Sequence, residues 1–285
     1  MKFSIILATL NRSDLVKQSV KSILNQTYDN YEVIIIDQST NDDTRDVISH
    51  LNKNNKIFYY KIDSKGLSIA RNFGIKKSSG DYICLMDDDA EYREDFLNTA
   101  YKILNNNNYA VLSGLIIEKK SNKVFMPLMD KEENKLVTFK NINICSSASL
   151  VINRNIMIES VGLFDEKLGA GAYFGAGEEI DVLIRFLNLN YLIFYTKKLV
   201  VYHPYPIKKF DEQSCKRAYI YGLGEGALCK KVIKNSRNKY IFIMKLLKNI
   251  IKTSIAIVLF YNNLNKQKFY INRLKGLIKG YKKYN

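Results

Sequence analysis

The stretch Asp81-Tyr82-Ile83-Cys84-Leu85-Met86-Asp87-Asp88-Asp89 passes from a short apolar run directly into three adjacent aspartates. An unbroken apolar run of this length, bounded by polar residues, is typical of a strand that is buried on both faces. The runs Phe3–Ala8 and Glu32–Asp37 have the same form, and apolar residues at helical spacing separate the three runs. Alternating strands and helices of this kind predict an α/β fold, with a mostly parallel sheet flanked by helices.

Polar side chains follow the predicted strands at the points where the strands end. Thr9, Asn11 and Arg12 follow the first strand, and Asp37 ends the second. The carboxyl ends of parallel strands meet at one edge of a sheet, and ligands bind in the crevice beyond that edge. We therefore expect these side chains and the aspartates Asp87–Asp89 to form one shared site.

The three adjacent aspartates indicate a bound cation. Neighbouring carboxylates repel one another, and a cation offsets that repulsion. Mg²⁺ and Mn²⁺ prefer carboxylate oxygens and bridge to substrate phosphates. Because alternate residues of an extended strand point the same way, Asp87 and Asp89 can converge on one ion while Asp88 faces elsewhere. Arg71, one helix earlier, can pair with a diphosphate. A plain solvated acidic turn is the alternative.

A second acidic cluster, Gly177-Glu178-Glu179-Ile180-Asp181, opens a predicted helix at the end of the Gly-rich segment Gly162–Gly177. We expect that segment to be a mobile loop over a site. Carboxylates in a first helical turn are favoured by the helix dipole, which is the purely structural explanation. A carboxylate behind such a loop can also act as a catalytic base, and we expect Glu178 or Glu179 to do so. His203, which ends a predicted strand, is either a third metal ligand or a buried histidine.

The sequence also lacks the motifs of several common sites. It has no GxxxxGK[ST] loop and no GxGxxG after the first strand, which disfavours ordinary ATPase and dinucleotide-binding folds. The four cysteines lie far apart without a CxxC pair, so we expect reduced thiols rather than disulfides or structural zinc. The apolar run Phe3–Ala8 is too short for the core of a secretory signal. We therefore expect a cytoplasmic location.

The net charge of +16 is confined to the C-terminal part of the chain. Residues 207–285 contain 19 Lys and Arg residues and 3 acidic ones, while residues 1–206 contain 25 of each sign. Such asymmetry points to a polyanionic partner, either nucleic acid or an acidic membrane surface.

Tyr240–Tyr261 is the most apolar part of this cationic segment, and Lys245, Lys248 and Lys252 share one helical face within it. These lysines leave too short an uncharged run for a spanning helix. We therefore expect an amphipathic helix that lies in the plane of an anionic membrane surface. A helix packed on the body of the protein is the alternative.

Seven stretches of the chain form one ordered set: Ser4–Arg12, Val33–Asp37 with Ser39, Asp42 and Thr44, Gly66–Ile75, Gly80–Asp89, Phe164–Glu166, the Gly177–Asp181 cluster with Arg185, and Val201–His203. Together they resemble family 2 glycosyltransferases. Gly80–Asp89 looks like the metal-binding DxD segment of that family. The resemblance covers residues 3–205. It implies a GT-A fold and an inverting transferase that uses a nucleotide-diphosphate sugar, for which we expect UDP, and a divalent metal, Mn²⁺ or Mg²⁺.

The resemblance also implies a role for each matching residue. The residues assigned to the nucleotide-sugar are Thr9, Asn11, Arg12, Asp37, Arg71, Asp87 and Asp88. The residues assigned to the metal are Asp89, Asp87 and His203, the last of which matches a position that binds metal in some members. Glu179 would be the base, although the usual Glu-Asp pair of the family is Glu-Glu here, which leaves Glu178 and Glu179 both open.

We divide the chain into a nucleotide-sugar-binding half (1–110), an acceptor-binding half of the same domain (111–206) and a basic amphipathic helical extension (207–285). The strands expected in the second half are Tyr109–Glu118, Ser146–Ile152, Tyr191–Thr196 and Leu199–His203. The expected acceptor is a growing surface glycan on a lipid carrier, in polysaccharide, capsule or lipopolysaccharide synthesis. The extension would hold the enzyme on the inner face of the cell membrane.

Two other functions stay open at this point. A nucleic-acid-binding protein would use the cationic extension, but its lysines lie among long aliphatic runs, which suits lipid better than stacked bases. A sugar nucleotidyltransferase is disfavoured because the first loop lacks the Gly-rich, Arg- and Lys-containing stretch that holds a triphosphate. The sugar, the acceptor and the linkage are not determined by the sequence.

Overall fold

The computed structural model describes residues 1–52, 55–205, 209–236 and 238–285. Two compact units make up this part of the chain. The first unit comprises Met1–Lys65, Ile69–Leu163 and Arg185–Tyr205, and the second comprises Gly66–Ser68, Phe164–Ile184 and the described residues after Tyr205. The three-part division expected from the sequence stays a prediction, and its boundary at residues 206 and 207 lies outside the described residues.

One nine-stranded sheet organises the first unit. Its strands are β1 (Phe3–Thr9), β2 (Tyr31–Asp37), β3 (Ile57–Lys61), β4 (Tyr82–Asp87), β5 (Glu91–Tyr92), β6 (Val111–Ile117), β7 (Asn134–Leu136), β8 (Val151–Asn153) and β9 (Ile193–Tyr202). They lie in the order β3-β2-β1-β4-β8-β6-β9-β5, and β7 pairs with β9. The first four strands are parallel, whereas β8 runs antiparallel to both β4 and β6. The predicted α/β fold with a central sheet is confirmed. The strands β1, β2 and β4, which the candidate polar residues follow or end, run parallel to one another.

Seven helices accompany these strands along the described chain. They are α1 (Ser13–Leu24), α2 (Asp43–Leu51), α3 (Leu67–Lys77), α4 (Phe96–Asn105), α5 (Pro127–Lys131), α6 (Arg154–Ile156) and α7 (Glu178–Asn188). In α1 the residues Val16, Val20 and Ile23 lie on one side at helical spacing and are buried. Both β1 and β2 are buried along their whole length, which explains why most of their residues are apolar.

Two predicted features of the second half are wrong in detail. The strands expected at Tyr191–Thr196 and Leu199–His203 form the single strand β9, whose pairing with β6 continues through a register shift between Gly114 and Leu115. The strand expected at Ser146–Ile152 begins with a 3₁₀ turn, and its paired part is β8. In that turn Ser149 Oγ donates to the Ser146 carbonyl at 3.1 Å and accepts from Gly114 N of β6 at 3.1 Å, so a side chain makes the contact to β6 there in place of a strand ladder.

Three long helices form most of the second unit: α8 (Glu212–Asn235), α9 (Lys239–Leu259) and α10 (Leu264–Lys283). Helices α8 and α10 approach closely at glycines. A Cβ atom on Gly226 would clash with the carbonyl oxygen of Leu277, and one on Gly280 would clash with that of Leu223. In the described residues no helix combines the length and the apolar character needed to cross a bilayer.

The Gly-rich segment is packed rather than loosely held in its middle. Leu168 and Phe174 are buried in one cluster with Leu223, Ala227 and Tyr284. Backbone bonds join Gly169 N to the Phe174 carbonyl at 2.9 Å and Phe174 N to the Lys167 carbonyl at 3.1 Å. Glycine lets the backbone of α8 approach this segment closely. A Cβ on Gly224 of α8 would clash with the carbonyl oxygen of Ala176. The segment is a loop, as its glycines predict, with a packed middle; its mobility stays a prediction.

Candidate active site

The carboxyl ends of β1, β2 and β4 bring the first acidic group together. In the parallel register Thr9 lies opposite Asp37 on one side of β1, and Ala8 lies opposite Asp87 on the other. The aspartates that follow β4 therefore lie beside the polar loop that follows β1. The predicted convergence of these side chains within the first unit is confirmed.

Asp88 lies at the centre of this group. Its carboxylate accepts a hydrogen bond from Thr9 Oγ1 at 2.9 Å and another from Arg12 Nη1 at 3.0 Å. Arg12 also lies 3.5 Å from Asp89 Oδ2, and the nearby carboxylates, Asp88 above all, raise the pKa of its guanidinium. Burial raises the pKa of Asp88 above its usual value, although both donors oppose that shift. Arg12 is half exposed, so its charge is available to a ligand.

Asp87 pairs with a fully buried arginine. Arg71 Nη2 donates to Asp87 Oδ1 at 3.0 Å, and the Arg71 side chain is only 1% exposed. A guanidinium this far from solvent is held in position by its surroundings, and its planar fork suits a carboxylate partner. The pair fixes a cation beside the aspartate cluster, as a diphosphate site requires.

Asp89 pairs with His203, at the end of β9. His203 Nε2 lies 3.1 Å from Asp89 Oδ1, and His203 Nδ1 donates to the carbonyl oxygen of Pro204 at 2.9 Å. The hydrogen bond from His203 lowers the pKa of Asp89. Burial alone would lower the pKa of His203, but the bonds to Asp89 and to the Pro204 carbonyl outweigh it and raise that pKa.

This pair suits a divalent cation. A histidine whose Nδ1 is held by a backbone carbonyl presents Nε2 in the orientation that metal-binding histidines use. Mn²⁺ and Mg²⁺ are commonly held by one or two protein side chains plus substrate phosphates. Asp87 pairs with Arg71 instead, and among the described residues no group of three His, Cys, Asp or Glu side chains is placed to hold a metal ion. The donor set therefore fits an ion completed by a phosphate ligand.

Asp37 is fully buried at the end of β2 and is already hydrogen-bonded. Ser39 N donates to its Oδ1 at 2.8 Å, and the Tyr59 hydroxyl donates to its Oδ2 at 2.7 Å. Burial and the bond to Asp37 raise the pKa of Tyr59 well above its usual value. Asn11, in a left-handed conformation at φ 55, donates its backbone N–H to Ser39 Oγ at 2.7 Å. Asn11 and Asp37 thus hold the loops after β1 and β2 together.

Tyr59 and Ser39 have site contacts that sequence reasoning did not assign. The signal for Tyr59 was present: β3 runs parallel to β2 with Lys61 opposite Asp37, so Tyr59 lies two residues back on the same face. Ser39 follows Asp37 in the turn, where a hydroxyl commonly bonds nearby backbone groups.

The second acidic group lies at the start of α7, in the second unit. Glu178 is buried, and a Cβ added to Gly169 would come within 3.1 Å of Glu178 Cδ. Glu179, one residue later, is only partly buried. The first turn of a helix favours carboxylates, and here one of the two keeps access to solvent.

A partly buried lysine, with 18% of its side chain exposed, stabilises the same helix start. Lys231 Nζ lies 2.6 Å from Asp165 Oδ2 and 3.0 Å from Asp181 Oδ2. The Tyr284 hydroxyl donates to Asp165 Oδ2 at 2.6 Å. Burial raises the pKa of Asp165, but the hydrogen bonds from Lys231 and Tyr284 outweigh burial and hold that pKa below its usual value. Sequence reasoning missed Lys231, because it lies 50 residues from Asp181 on a helix outside the resemblance.

The sequence model of glycosyl transferase family 2 matches residues 4–161, more than half of the chain. The chain belongs to that family. The match includes the β1 loop, Asp37, Arg71 and the three aspartates, and it ends before α7 and His203. The resemblance seen in the sequence is confirmed.

Named relatives match parts of the chain. An uncharacterized glycosyltransferase of Rickettsia bellii is 38% identical over 108 residues, which are 38% of this chain and 16% of that protein. The GalNAc(5)-diNAcBac-PP-undecaprenol beta-1,3-glucosyltransferase of Campylobacter jejuni is 32% identical over 124 residues, which are 42% of this chain and 40% of that protein. The chain thus matches well under two thirds of the length of either relative.

Two solved glycosyltransferase structures share the fold. S. aureus TarS 1–349 superposes with a TM-score of 0.65 and 19% identity, covering 98% of this chain and 81% of that one. Mannosyltransferase PcManGT from Pyrobaculum calidifontis, in complex with GDP-Man and Mn²⁺, superposes with a TM-score of 0.67 and 13% identity, covering 98% and 86%. At these identities the likeness concerns the fold alone, and the predicted GT-A class is confirmed.

Proposed function

We propose that the chain is an inverting glycosyltransferase that moves a sugar from a nucleotide-diphosphate donor to a hydroxyl group of an acceptor. The observation that carries the proposal is the group of three aspartates with two guanidinium groups at one edge of the parallel strands. Arg12 and Arg71 are each bonded to a member of the aspartate cluster at 3.0 Å. Fixed cations stabilise the charge that grows on a leaving diphosphate, because they need no reorganisation during the reaction. Membership of the family supports the same reaction class.

Glu179 is the proposed base. Its partial exposure distinguishes it from Glu178, which is buried against Gly169. The carboxylate takes the proton of the acceptor hydroxyl, the oxygen forms a bond to the anomeric carbon, and the bond from that carbon to the diphosphate oxygen breaks. Attack from the face opposite the nucleotide inverts the configuration, since a single displacement needs one carboxylate and no nucleophile on the protein.

Asp89 and His203 are the proposed holders of Mn²⁺ or Mg²⁺. When bound, the ion would supply positive charge to the diphosphate oxygens. We propose UDP as the nucleotide; S. aureus TarS 1–349 has been solved with UDP and with UDP-GlcNAc, with TM-scores of 0.60 to this chain. Thr9, Asn11, Asp37 and Asp88 then order the loops around the donor.

The proposed acceptor is a glycan on a lipid carrier, in the synthesis of a surface polysaccharide. Support comes from the name of the Campylobacter jejuni relative, an undecaprenol-linked glycan glucosyltransferase. Cys84, Cys215 and Cys229 are buried thiols that form no disulfide, which fits a reducing compartment. We therefore propose that the chain acts at the cytoplasmic face of the membrane. No comparable observation favours nucleic acid or a nucleotidyltransferase reaction.

A donor screen tests the proposal. UDP-, GDP-, dTDP- and CDP-sugars are incubated with the full chain in Mn²⁺, in Mg²⁺ or in EDTA, and nucleotide release is measured. We expect one donor to be hydrolysed in a metal-dependent way, and Asp89→Ala to remove that dependence. Asp46→Ala, an exposed carboxylate on α2, is the matched control and should leave hydrolysis unchanged. Absence of hydrolysis and of thermal stabilisation with every donor would overturn the proposal.

The base is tested separately. Glu179→Gln should keep donor binding while transfer falls by about 10²- to 10⁴-fold, as expected for loss of a positioned base. Glu178→Gln is the neighbouring control. If Glu178→Gln is the inactive variant and Glu179→Gln is not, the base is Glu178.

A further inference from the structure

Helix α9 has a continuous stripe of exposed apolar side chains. We call Tyr240, Met244, Leu247, Ile251, Ile255 and Val258 the α9 stripe; each is between 47% and 70% exposed. Their spacing of three or four residues places them on one face of the helix. At 1.5 Å per residue the stripe is about 27 Å long. Apolar surface of this extent on one face marks an interaction site.

The opposite face of α9 is fixed within the second unit. Phe242 and Thr253 are buried. Asn249 donates to Glu225 of α8, whose other carboxylate oxygen accepts from Arg273 Nη2 of α10 at 2.6 Å. These contacts set the rotation of α9, so the α9 stripe faces away from α8 and α10.

The turn between α9 and α10 extends the apolar surface. Leu259, Tyr261 and Leu264 are 71%, 67% and 73% exposed, about as much as the most exposed members of the α9 stripe. Side chains of this size at the end of a hydrophobic face can enter the boundary between lipid headgroups and acyl chains.

Positive charge borders this surface. Each helical residue advances by about 100°, so Lys248 and Lys252 lie along one edge of the α9 stripe, and both are exposed. The sequence has no acidic residue after Glu225. Glu225 of α8 lies against the opposite face of α9 and is paired with Arg273, so the apolar face with its lysine border complements an anionic lipid surface. A second copy that docked through the same face would instead bring its own Lys248 and Lys252 against these lysines.

We propose that the α9 stripe and the α9–α10 turn lie in the plane of an anionic lipid bilayer, with their apolar side chains at the acyl boundary and Lys248 and Lys252 at lipid phosphates. This deepens the proposed function, since it names the surface that would present a lipid-carried acceptor. Helix α9 contains none of the residues proposed to bind the donor, so an experiment can contradict either proposal without touching the other.

Vesicle flotation of the full chain tests the apolar part. The vesicles contain phosphatidylcholine with or without phosphatidylglycerol. We expect flotation with the anionic vesicles, and a partition coefficient on the order of 100-fold lower for Ile251→Glu with Val258→Glu. The matched control is Leu136→Glu with Leu192→Glu, which replaces two exposed leucines of the first unit and adds the same two negative charges. The control should float less than wild type by at most a few-fold.

Charge variants test the electrostatic part without disturbing the apolar face. Lys248→Gln with Lys252→Gln should lower anionic-vesicle binding by about five-fold per lysine. Lys102→Gln with Lys140→Gln removes the same net charge from exposed positions of the first unit and should have a much smaller effect. Equal losses in the two pairs would show that only net charge matters and would overturn the assignment to α9.

Two results overturn the proposal outright. One is flotation of Ile251→Glu with Val258→Glu at the wild-type level. The other is a full chain that does not float and sediments as a dimer which that variant converts to a monomer; the α9 stripe is then an interface between copies. Donor hydrolysis without vesicles is measured on the same samples. Loss of flotation in samples that still hydrolyse the donor would count against the membrane proposal alone. Absence of donor hydrolysis in the wild type would count against the proposed function.

Discussion

The ammonium group of Lys231 lies between two carboxylates, those of Asp165 and Asp181, and all three side chains are at most 18% exposed. Replacing Lys231 by Met leaves two like charges without their shared cation in a poorly solvated place. Loss of one partner of a buried ion pair costs about 3–5 kcal/mol. We expect Lys231→Met to lower the free energy of unfolding by about 3 kcal/mol, measured by urea denaturation.

Lys234→Met is the control for this variant. Lys234 is exposed on the same helix, so its loss should change stability by no more than about 0.5 kcal/mol. Equal unfolding free energies for the two variants would mean that the Lys231 contacts contribute nothing to stability.

Single residues of the first acidic group could be predicted because one rule places them. Thr9, Asp37 and Asp87 each end a strand with a mostly apolar sequence, and parallel register then brings strand ends together. No such rule places Lys231, since its pairing depends on how α8 packs in the second unit. The roles assigned to Glu178, Glu179 and His203 stay predictions until the variants are measured.

At the scale of elements, the contact between α8 and α10 depends on the absence of side chains. Gly226 faces the carbonyl oxygen of Leu277, and Gly280 faces that of Leu223, with no room for a Cβ at either position. Gly280→Ala should gain about 1 kcal/mol of helix propensity. It should nevertheless lower the free energy of unfolding by a net 1–3 kcal/mol or so, because the helices must separate. Thermal or urea unfolding measures the sum.

Lys275→Ala is the matched substitution on α10, since Lys275 is exposed. This substitution changes helix propensity without adding a side chain between α8 and α10. It should leave the free energy of unfolding unchanged or raise it slightly. A stabilised Gly280→Ala would contradict the close packing of the two helices.

Elements with one dominant pattern were predictable, and those set by packing were not. The mostly apolar runs of β1, β2 and β4 admit one interpretation. Strand β9 is interrupted by polar residues, so the sequence pattern predicts two strands where the structure has one. Glycines in Gly162–Gly177 predict a loop from composition alone. The packing of that segment against α8 follows instead from small residues on both sides, which a local sequence pattern does not reveal.

For the whole molecule, the path of the chain decides how it unfolds. The polypeptide passes from one unit to the other five times, and two of these passages fall inside helices, at Ser68/Ile69 in α3 and at Ile184/Arg185 in α7. Each helix has residues in both units, so its backbone hydrogen bonds would have to break for either unit to unfold alone. We infer that the chain unfolds in one cooperative transition, although two-state behaviour is commonest in smaller domains.

Hydrogen exchange in the Lys231→Met variant tests this inference. The substitution lies in the second unit, and a loss of 3 kcal/mol raises globally controlled exchange by about 100-fold. In a cooperative molecule the slowest amides of β1, in the first unit, should accelerate by the same factor as those of α8. Lys234→Met should accelerate neither. Faster exchange confined to α8, with β1 unchanged, would show that the second unit opens by itself, and the shared helices would then not couple the two units.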